Sequence, residues 1–270
     1  MGFPDGPLWL IGCGNMGGAM LTGWLAAGLD PARFTVVDPY LAEAPGGVSL
    51  LPAVPQGHFD AVLLGVKPQA LDEAAPALAG AVGPDTVLLS ILAGTEIASI
   101  RTRVPDAGAV VRVMPNLAAA IGKSPIGLYG EGLDPAGQAW VEALLAPLGQ
   151  PEWLEREDQL DIVTALAGSG PAFVYRFIDA LAAGGAELGL EAEQARRLAL
   201  ATVEGAALLA ARSDASPAEL ARRVTSPGGT TAAGLAMLDA DSALLRLVEA
   251  TLRAARDRGA ELAAAARGQS

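Results

Sequence analysis

The chain has 270 residues, of which 51% are hydrophobic and 18% charged, a composition typical of folded proteins with buried cores. Its net charge of −12, with Lys67 and Lys123 as the only lysines, argues against a surface that binds nucleic-acid phosphates. One cysteine, Cys13, and one histidine, His58, leave neither a disulfide nor the usual metal-ligand sets, so we expect no metal. Charged residues or glycine interrupt every long apolar stretch, so we also expect no signal peptide, no membrane partner and a cytoplasmic protein.

A glycine motif follows directly on the first apolar stretch. Leu8 to Ile11 has the composition of a buried strand, and an Ala/Leu-rich helix is predicted after the motif. G-x-G-x-x-G between a strand and a helix is typical of dinucleotide-binding folds, because the glycines allow a tight turn, close approach of a pyrophosphate and close helix packing. The residues of the motif that we expect to bind a cofactor are Gly12, Gly14, Asn15, Met16 and Gly17.

Asp38 stands at the end of the second predicted strand, Phe34 to Val37, and 21 residues beyond Gly17. An acidic side chain at this position accepts hydrogen bonds from ribose hydroxyls and repels a 2′-phosphate. No arginine or lysine follows in the next four residues, so the sequence favours NADH over NADPH. The alternative interpretation of Asp38 is a turn-forming aspartate before Pro39.

Three further apolar stretches follow as expected for a parallel sheet: Ala61 to Val66, Thr86 to Ile91 and Ala109 to Val113. Because open α/β sheets bind ligands at the carboxyl ends of their strands, we expect the residues at these ends to lie along the cofactor. These residues are Val66, Lys67, Pro68, Ala93, Gly94 and Asn116.

Two of the residues near the last of these strands have alternative interpretations. Asn116 could bond the carboxamide of a nicotinamide, or it could be an ordinary loop residue. Arg112 lies inside the strand, and we predict that it is a buried partner in an ion pair.

The strand pattern ends shortly after residue 150. Two short strands, Ile126 to Tyr129 and Glu152 to Leu154, are predicted on either side of a helix from Pro135 to Leu148, and from Asp158 onward the apolar spacing is helical. We therefore predict the α/β class, with an N-terminal Rossmann dinucleotide-binding domain over residues 1–156 and an all-helical dimerisation domain over residues 157–270.

Two Gly/Ser/Pro turns open helices in this second half. Gly168 to Ala172 is predicted to start a helix that Gly184-Gly185 interrupts. Thr225 to Thr231 places two glycines just before a helix from Ala232 to Leu238, so that N–H groups and hydroxyls converge at one point. Such a helix N-terminus can hold a substrate carboxylate. The alternative interpretation is an ordinary capped helix.

Together these motifs resemble the pyrroline-5-carboxylate reductase family, which reduces a cyclic imine to proline. The motifs that carry the resemblance are, in chain order, Ile11 to Gly17, Val66 to Gln69, Arg112 to Asn116, Gly168 to Ala172 and Thr225 to Thr231. The resemblance implies a small-molecule substrate, pyrroline-5-carboxylate, and the cofactor NAD(P)H. It also implies a homodimer formed through the helical domain, with dimers often assembling into rings of five.

In this family the Ser-Pro-Gly-Gly-Thr-Thr loop of one subunit completes the pocket over the nicotinamide of its partner. The resemblance therefore implies that Thr231 is the catalytic residue and meets the imine nitrogen. The residues implied to bind the substrate are Ser226, Gly228, Gly229, Thr230 and Thr231. Three positions depart from the usual motifs: Leu117-Ala118 replaces Thr-Pro, and Ala167 replaces a common serine.

Two other functions are compatible with the first half of the chain. A β-hydroxyacid reductase of similar architecture needs a catalytic lysine in its second domain, and no lysine follows Lys123. A non-catalytic dinucleotide-sensing protein would have no need of the loop from Thr225 to Thr231, which is intact.

Overall fold

A computed structural model of the chain describes residues 6–267. The chain divides into two compact units, one that runs to Gly168 and includes residues from Arg256 onward, and one that runs from Ser169 to Ala255. This division falls after residue 156, where the sequence predicts the domain boundary. The boundary at residue 156 stays a prediction. None of the helices in the described range is both long and apolar enough to cross a membrane.

The first unit is built on a sheet that has eight strands within the described residues. In chain order these are β1 Leu8–Ile11, β2 Phe34–Val37, β3 Ser49–Leu51, β4 Ala61–Leu64, β5 Val87–Ser90, β6 Ala109–Met114, β7 Ser124–Glu131 and β8 Gly149–Trp153. Their spatial order is β3-β2-β1-β4-β5-β6-β7-β8, and every neighbouring pair is parallel except β6 with β7. The predicted α/β class is confirmed, and β3 is a strand that the sequence pattern did not indicate.

Helices cover both faces of the sheet. They are α1 Asn15–Ala26, α2 Leu71–Leu78, α3 Ile97–Arg103, α4 Pro135–Leu145 and α5 Gln159–Val163, which continues as a π-helix over Thr164–Gly168. Leu63 of β4 packs in a core with α1 and α4, whereas its neighbours Val62 and Leu64 pack in the core that contains α2 and α3. This alternation explains why the strand is apolar at every position.

The second unit is helical. Its helices are α6 Gly170–Glu187, α7 Ala192–Ala211, α8 Pro217–Arg223, α9 Thr230–Asp239 and the first half of α10 Ala243–Arg267. The predicted interruption at Gly184-Gly185 is wrong, because α6 passes through both glycines. A Cβ at Gly185 would lie 3.5 Å from Cβ of Ala195 on α7, so the glycine lets the two helices approach closely.

This helical unit encloses little core of its own. Ala195 and Ala199 are its only buried hydrophobic residues in the described range. Large apolar side chains on its helices are exposed instead: Val174, Tyr175, Phe177, Leu181, Leu198, Leu200, Leu208, Leu209, Met237, Leu238, Leu244, Leu245, Leu247 and Val248. An exposed apolar surface of this extent is typical of helices that pack against another subunit.

Candidate functional site

The glycine-rich loop turns directly from β1 into α1. Gly12 has a φ of +85°, and a Cβ there would lie 2.9 Å from the backbone nitrogen of Val66. A Cβ at Gly17 would lie 3.2 Å from the carbonyl oxygen of Gly12. These two glycines are therefore explained by the tight turn and by the close packing of α1 on the sheet.

Gly14 has a different environment. It precedes the first residue of α1, no side chain caps the helix there, and a Cβ at Gly14 would have no atom within 4 Å. The first N–H groups of a helix lack acceptors within the helix and attract anions. In contrast, the side chains of Asp134 and Ser216 cap α4 and α8. The open, uncapped start of α1 fits a pyrophosphate.

A cleft of about 470 Å³ opens beside this loop at the carboxyl ends of β1, β2 and β4. Five of the predicted cofactor residues line it: Gly12, Gly14, Asp38, Val66 and Lys67. The structure also shows lining residues that the sequence motifs did not identify, on the turn after β2, the loop after β3 and one face of α2: Tyr40, Pro52, Ala53, Val54, Ala70, Glu73, Ala74 and Ala77.

The carboxylate of Asp38 connects two pieces of backbone at this cleft. One oxygen accepts a hydrogen bond from the N–H of Cys13 at 2.9 Å, and the other accepts one from the N–H of Tyr40 at 2.9 Å. The second contact makes Asp38 a turn-forming residue, as the alternative interpretation holds. Each carboxylate oxygen has a second lone pair, so the same side chain can also accept from ribose hydroxyls.

Burial, and to a lesser extent the charge of Asp38, raise the pKa of the Cys13 thiol to about 11. This thiol is therefore protonated and unreactive at neutral pH.

Seven predicted cofactor residues lie outside the lining of the cleft. These are Asn15, Met16 and Gly17 in the first turn of α1, Pro68 after β4, Ala93 and Gly94 after β5, and Asn116 after β6. The side chain of Asn116 is buried, its Nδ2 donates to the carbonyl oxygen of Ala167 at 2.9 Å, and its Oδ1 accepts from the N–H of Ala118 at 2.9 Å. These contacts support its interpretation as a structural loop residue, and its contact with a carboxamide stays a prediction.

Arg112 is a buried ion-pair partner, as predicted. Its Nη1 lies 2.9 Å from Oε1 of Glu157, and only 6% of the Arg112 side chain is exposed. The same oxygen of Glu157 accepts the N–H of Ile97, the first residue of α3, at 2.7 Å. Glu157 thus fixes the end of the loop between β5 and α3, a role that no local sequence motif indicated.

In the second unit, the predicted substrate loop leads into α9. The φ of Gly228 is +69°, the N–H of Gly229 donates to the carbonyl oxygen of Ser226 at 3.0 Å, and α9 begins at Thr230 without a side-chain cap. A Cβ at Gly229 would fall within 2.4 Å of the Ser226 hydroxyl oxygen. The tight turn therefore places this hydroxyl beside an uncapped helix N-terminus, which favours anion binding over the ordinary capped helix.

Comparisons with known proteins give the same two-part organisation. Residues 157–262 match the family model for pyrroline-5-carboxylate reductase dimerisation, and residues 8–94 match the model for NADP oxidoreductases that depend on coenzyme F420. The pyrroline-5-carboxylate reductase of Pseudomonas aeruginosa is 40% identical over 94% of this chain and 95% of its own length.

Solved structures are also similar over nearly the whole chain. The pyrroline-5-carboxylate reductase of Coxiella burnetii has a TM-score of 0.88 and 31% identity, covering 96% of this chain and 99% of that chain. The Plasmodium falciparum enzyme, solved with NADP bound, has a TM-score of 0.78 and 26% identity, covering 96% of this chain and 98% of that chain. With these similarities, the chain belongs to the pyrroline-5-carboxylate reductase family.

Proposed function

We propose that this protein reduces 1-pyrroline-5-carboxylate to L-proline with NAD(P)H, the last step of proline biosynthesis. The observation that carries this proposal is the uncapped N-terminus of α9, which follows the tight turn from Ser226 to Gly229. Its free N–H groups suit a small carboxylate, the anionic group of this substrate. The cleft beside the glycine-rich loop provides the second requirement, a site for a dinucleotide.

Each predicted substrate residue of the loop has a proposed role. The hydroxyls of Ser226 and Thr230 and the backbone N–H groups at Gly228 and Thr230 hold the substrate carboxylate, and Gly229, whose N–H donates to Ser226, keeps the turn tight. Thr231 donates a hydrogen bond to the imine nitrogen and so fixes the orientation of the ring. A bound NAD(P)H supplies the hydride to the imine carbon. Because an unperturbed hydroxyl is a weak acid, the proton on the nitrogen of a neutral imine comes from water. Where the imine is already protonated, its N–H donates to Oγ of Thr231 instead.

We further propose that NADH is preferred over NADPH. The charged side chains that line the cleft are Asp38, Glu73 and Lys67, so carboxylates outnumber cations there. Asp38 is held at the end of β2 by two backbone hydrogen bonds. A 2′-phosphate on the adenosine ribose would meet like charge at this end of the cleft.

The proposed assembly is a homodimer formed through the helical domain, and the family resemblance implies a ring of such dimers as a larger form. The exposed apolar side chains of α6, α7 and α10 support the dimer, because a single chain leaves them in water. Measurement of the native mass at dilute concentration tests this, and a monomer at micromolar concentration would contradict it.

Oxidation of NADH and NADPH in the presence of pyrroline-5-carboxylate tests the activity, with L-proline identified as the product. A β-hydroxyacid with NAD⁺ or NADP⁺ is the matched alternative substrate. Turnover of the hydroxyacid alone would favour a β-hydroxyacid reductase, and cofactor binding without turnover of either substrate would favour a sensing protein.

A further inference from the structure

One wall of the cleft is formed by alanines of α2 and the residue before it. Ala70, Ala74 and Ala77 line the cleft. They follow the helical spacing of four and three residues, so they lie on one face. Leu71, Ala75 and Leu78 occupy the adjacent face and are buried in the core. Because alanine carries a single methyl group, these three residues give the wall a flat apolar part, and Glu73 adds a carboxylate to the same face of α2.

Tyr40 lies at the rim of the same cleft. Tyr40 is 90% exposed, more than any other aromatic residue in the described range. It is also the only aromatic residue among those lining the cleft. The turn that carries it is fixed, since the backbone N–H of Tyr40 donates to Asp38 at 2.9 Å. The backbone of the turn therefore places the ring at the rim of the cleft, where its apolar faces are exposed to solvent in the free protein.

We propose that Tyr40 stacks on the adenine base of the bound dinucleotide and holds it against the alanine wall of α2. This inference rests on the proposed function, because it takes the cleft to be the dinucleotide site. Asp38, which is placed to accept from the adenosine ribose, is two residues before Tyr40, so the base on that ribose is within reach of the ring. The alanine methyl groups on one side and an aromatic ring on the other match the two faces of a purine.

The test is calorimetric titration of the full-length protein with ADP-ribose, which carries the adenosine half of the cofactor without nicotinamide. Tyr40→Leu removes the ring and keeps an apolar side chain, whereas Tyr40→Phe keeps the ring and is the matched control. We expect the leucine variant to bind ADP-ribose about tenfold more weakly and the phenylalanine variant to bind it as the native protein does. All three proteins keep the backbone hydrogen bond to Asp38.

A second measurement separates stacking from a general distortion of the site. Since the base lies far from the hydride, Tyr40→Leu should raise KM for NADH and leave kcat at saturating NADH unchanged. Unchanged affinity of Tyr40→Leu for ADP-ribose would overturn the inference, as would equal losses in both variants or a parallel fall in kcat. A native protein that binds neither ADP-ribose nor NADH would overturn the proposed function together with this inference, whereas native binding with an indifferent Tyr40 overturns the inference alone.

Discussion

The carboxylate of Asp38 accepts a hydrogen bond from the backbone N–H of Cys13, 25 residues earlier in the chain, at 2.9 Å. The acidic residue at the end of β2 thus holds the glycine-rich loop at the end of β1. Its charge acts on the phosphates of a bound cofactor, whereas its hydrogen bonds act on the loop and the turn.

Replacing Asp38 by Asn removes the charge and keeps one oxygen, which can accept the N–H of Cys13 or that of Tyr40 but not both. Two like charges about 5 Å apart repel by roughly 3 kcal/mol at an effective dielectric near 20, before screening. After screening, the change should shift the ratio of kcat/KM for NADH over NADPH toward NADPH by about tenfold. Steady-state kinetics with both cofactors measure this ratio.

Glu43→Gln is the control for this change of charge, because Glu43 is an exposed acid close in sequence and outside the lining of the cleft. Its ratio should equal that of the native enzyme. Equal use of both cofactors by the native enzyme, or an unchanged ratio in Asp38→Asn, would mean that Asp38 serves only the turn and the loop.

Gly14 and Gly12 should respond differently to alanine. A Cβ at Gly14 points into open space, so Gly14→Ala should keep the native Tm. It should weaken NADH binding by about tenfold or more, because the methyl group would occupy the proposed pyrophosphate position. Gly12→Ala places a Cβ 2.9 Å from the backbone of Val66 at a φ of +85° and should lower Tm as well. Thermal unfolding and NADH titration of both variants check this. Tight NADH binding by Gly14→Ala would place the pyrophosphate elsewhere.

The thiol of Cys13 should be almost inert in the folded protein. Burial first, and then the Asp38 carboxylate, raise its pKa from 9.0 to about 11. At pH 8 the reactive thiolate is then about a hundredfold scarcer than in the unfolded chain, and labelling by a thiol reagent should slow by at least that factor. Because Cys13 is the only cysteine, the labelling rate reports this thiol alone.

The same pKa shift has a consequence for stability. The folded protein retains the thiol proton up to pH 11, whereas the unfolded chain loses it near pH 9, so this contribution is complete below pH 9 and is lost between pH 9 and 11. Cys13→Ala should remove this part of the pH dependence of unfolding. Rapid, complete labelling of the native enzyme at pH 8 would contradict the buried environment of the thiol.

Glu157 should matter far more for stability than its neighbour Asp158. Glu157→Ala leaves the buried guanidinium of Arg112 without its carboxylate and the N–H of Ile97 without its acceptor. Removing one partner of a buried ion pair is strongly destabilising, and with Glu157 partly exposed the loss should be about 2–4 kcal/mol in the free energy of unfolding. Asp158→Ala is the matched control, because its pair with Arg156 is exposed and should contribute little. Equal denaturation midpoints for the two variants would contradict the structural role of Glu157.

The parts of the fold that follow local patterns could be predicted from the sequence. The strands that lead to the glycine motif and to Asp38 have the bounds expected, since buried parallel strands are uniformly apolar. Strand β3 was missed because it has only three residues, Ser49–Leu51, too few to show a periodicity. The sequence predicts an interruption of α6 at its two glycines because glycine has a low helix propensity. Propensity contains no information on α7, whose close approach requires a small residue there.

The contacts that could not be predicted join residues far apart in the chain. Asn116 bonds the carbonyl of Ala167, which is 51 residues away, so its local sequence could not decide between a loop residue and a cofactor ligand. Glu157 forms an ion pair with Arg112, which is 45 residues earlier in the chain. The alanine wall of α2 was missed for another reason: alanine is common in helices, so its spacing carries no distinctive signal.

Thr231 provides the most direct test of the proposed chemistry. Thr231 lies in the first turn of α9 and is exposed. Thr231→Ala therefore removes a hydroxyl without opening a cavity. Losing one hydrogen bond to the imine nitrogen should cost about 1–3 kcal/mol in the transition state and lower kcat about ten- to a hundredfold. Since the proposed adenosine and pyrophosphate contacts lie in the cleft of the other unit, the affinity for NADH should remain as in the native enzyme.

Thr202→Ala is the control for this substitution, because Thr202 is also an exposed helix residue whose hydroxyl bonds the carbonyl of Leu198 at 2.8 Å. Its kcat should remain native. Stopped-flow turnover and NADH titration of both variants separate the two possible effects: a Thr231→Ala enzyme that keeps kcat but loses NADH would make Thr231 a cofactor contact.

A further variant, Thr231→Ser, keeps the hydroxyl and removes the methyl group. If the hydroxyl orients the imine, Thr231→Ser recovers most of kcat, whereas a variant as slow as Thr231→Ala would show that the methyl group, and hence packing, is what the reaction requires.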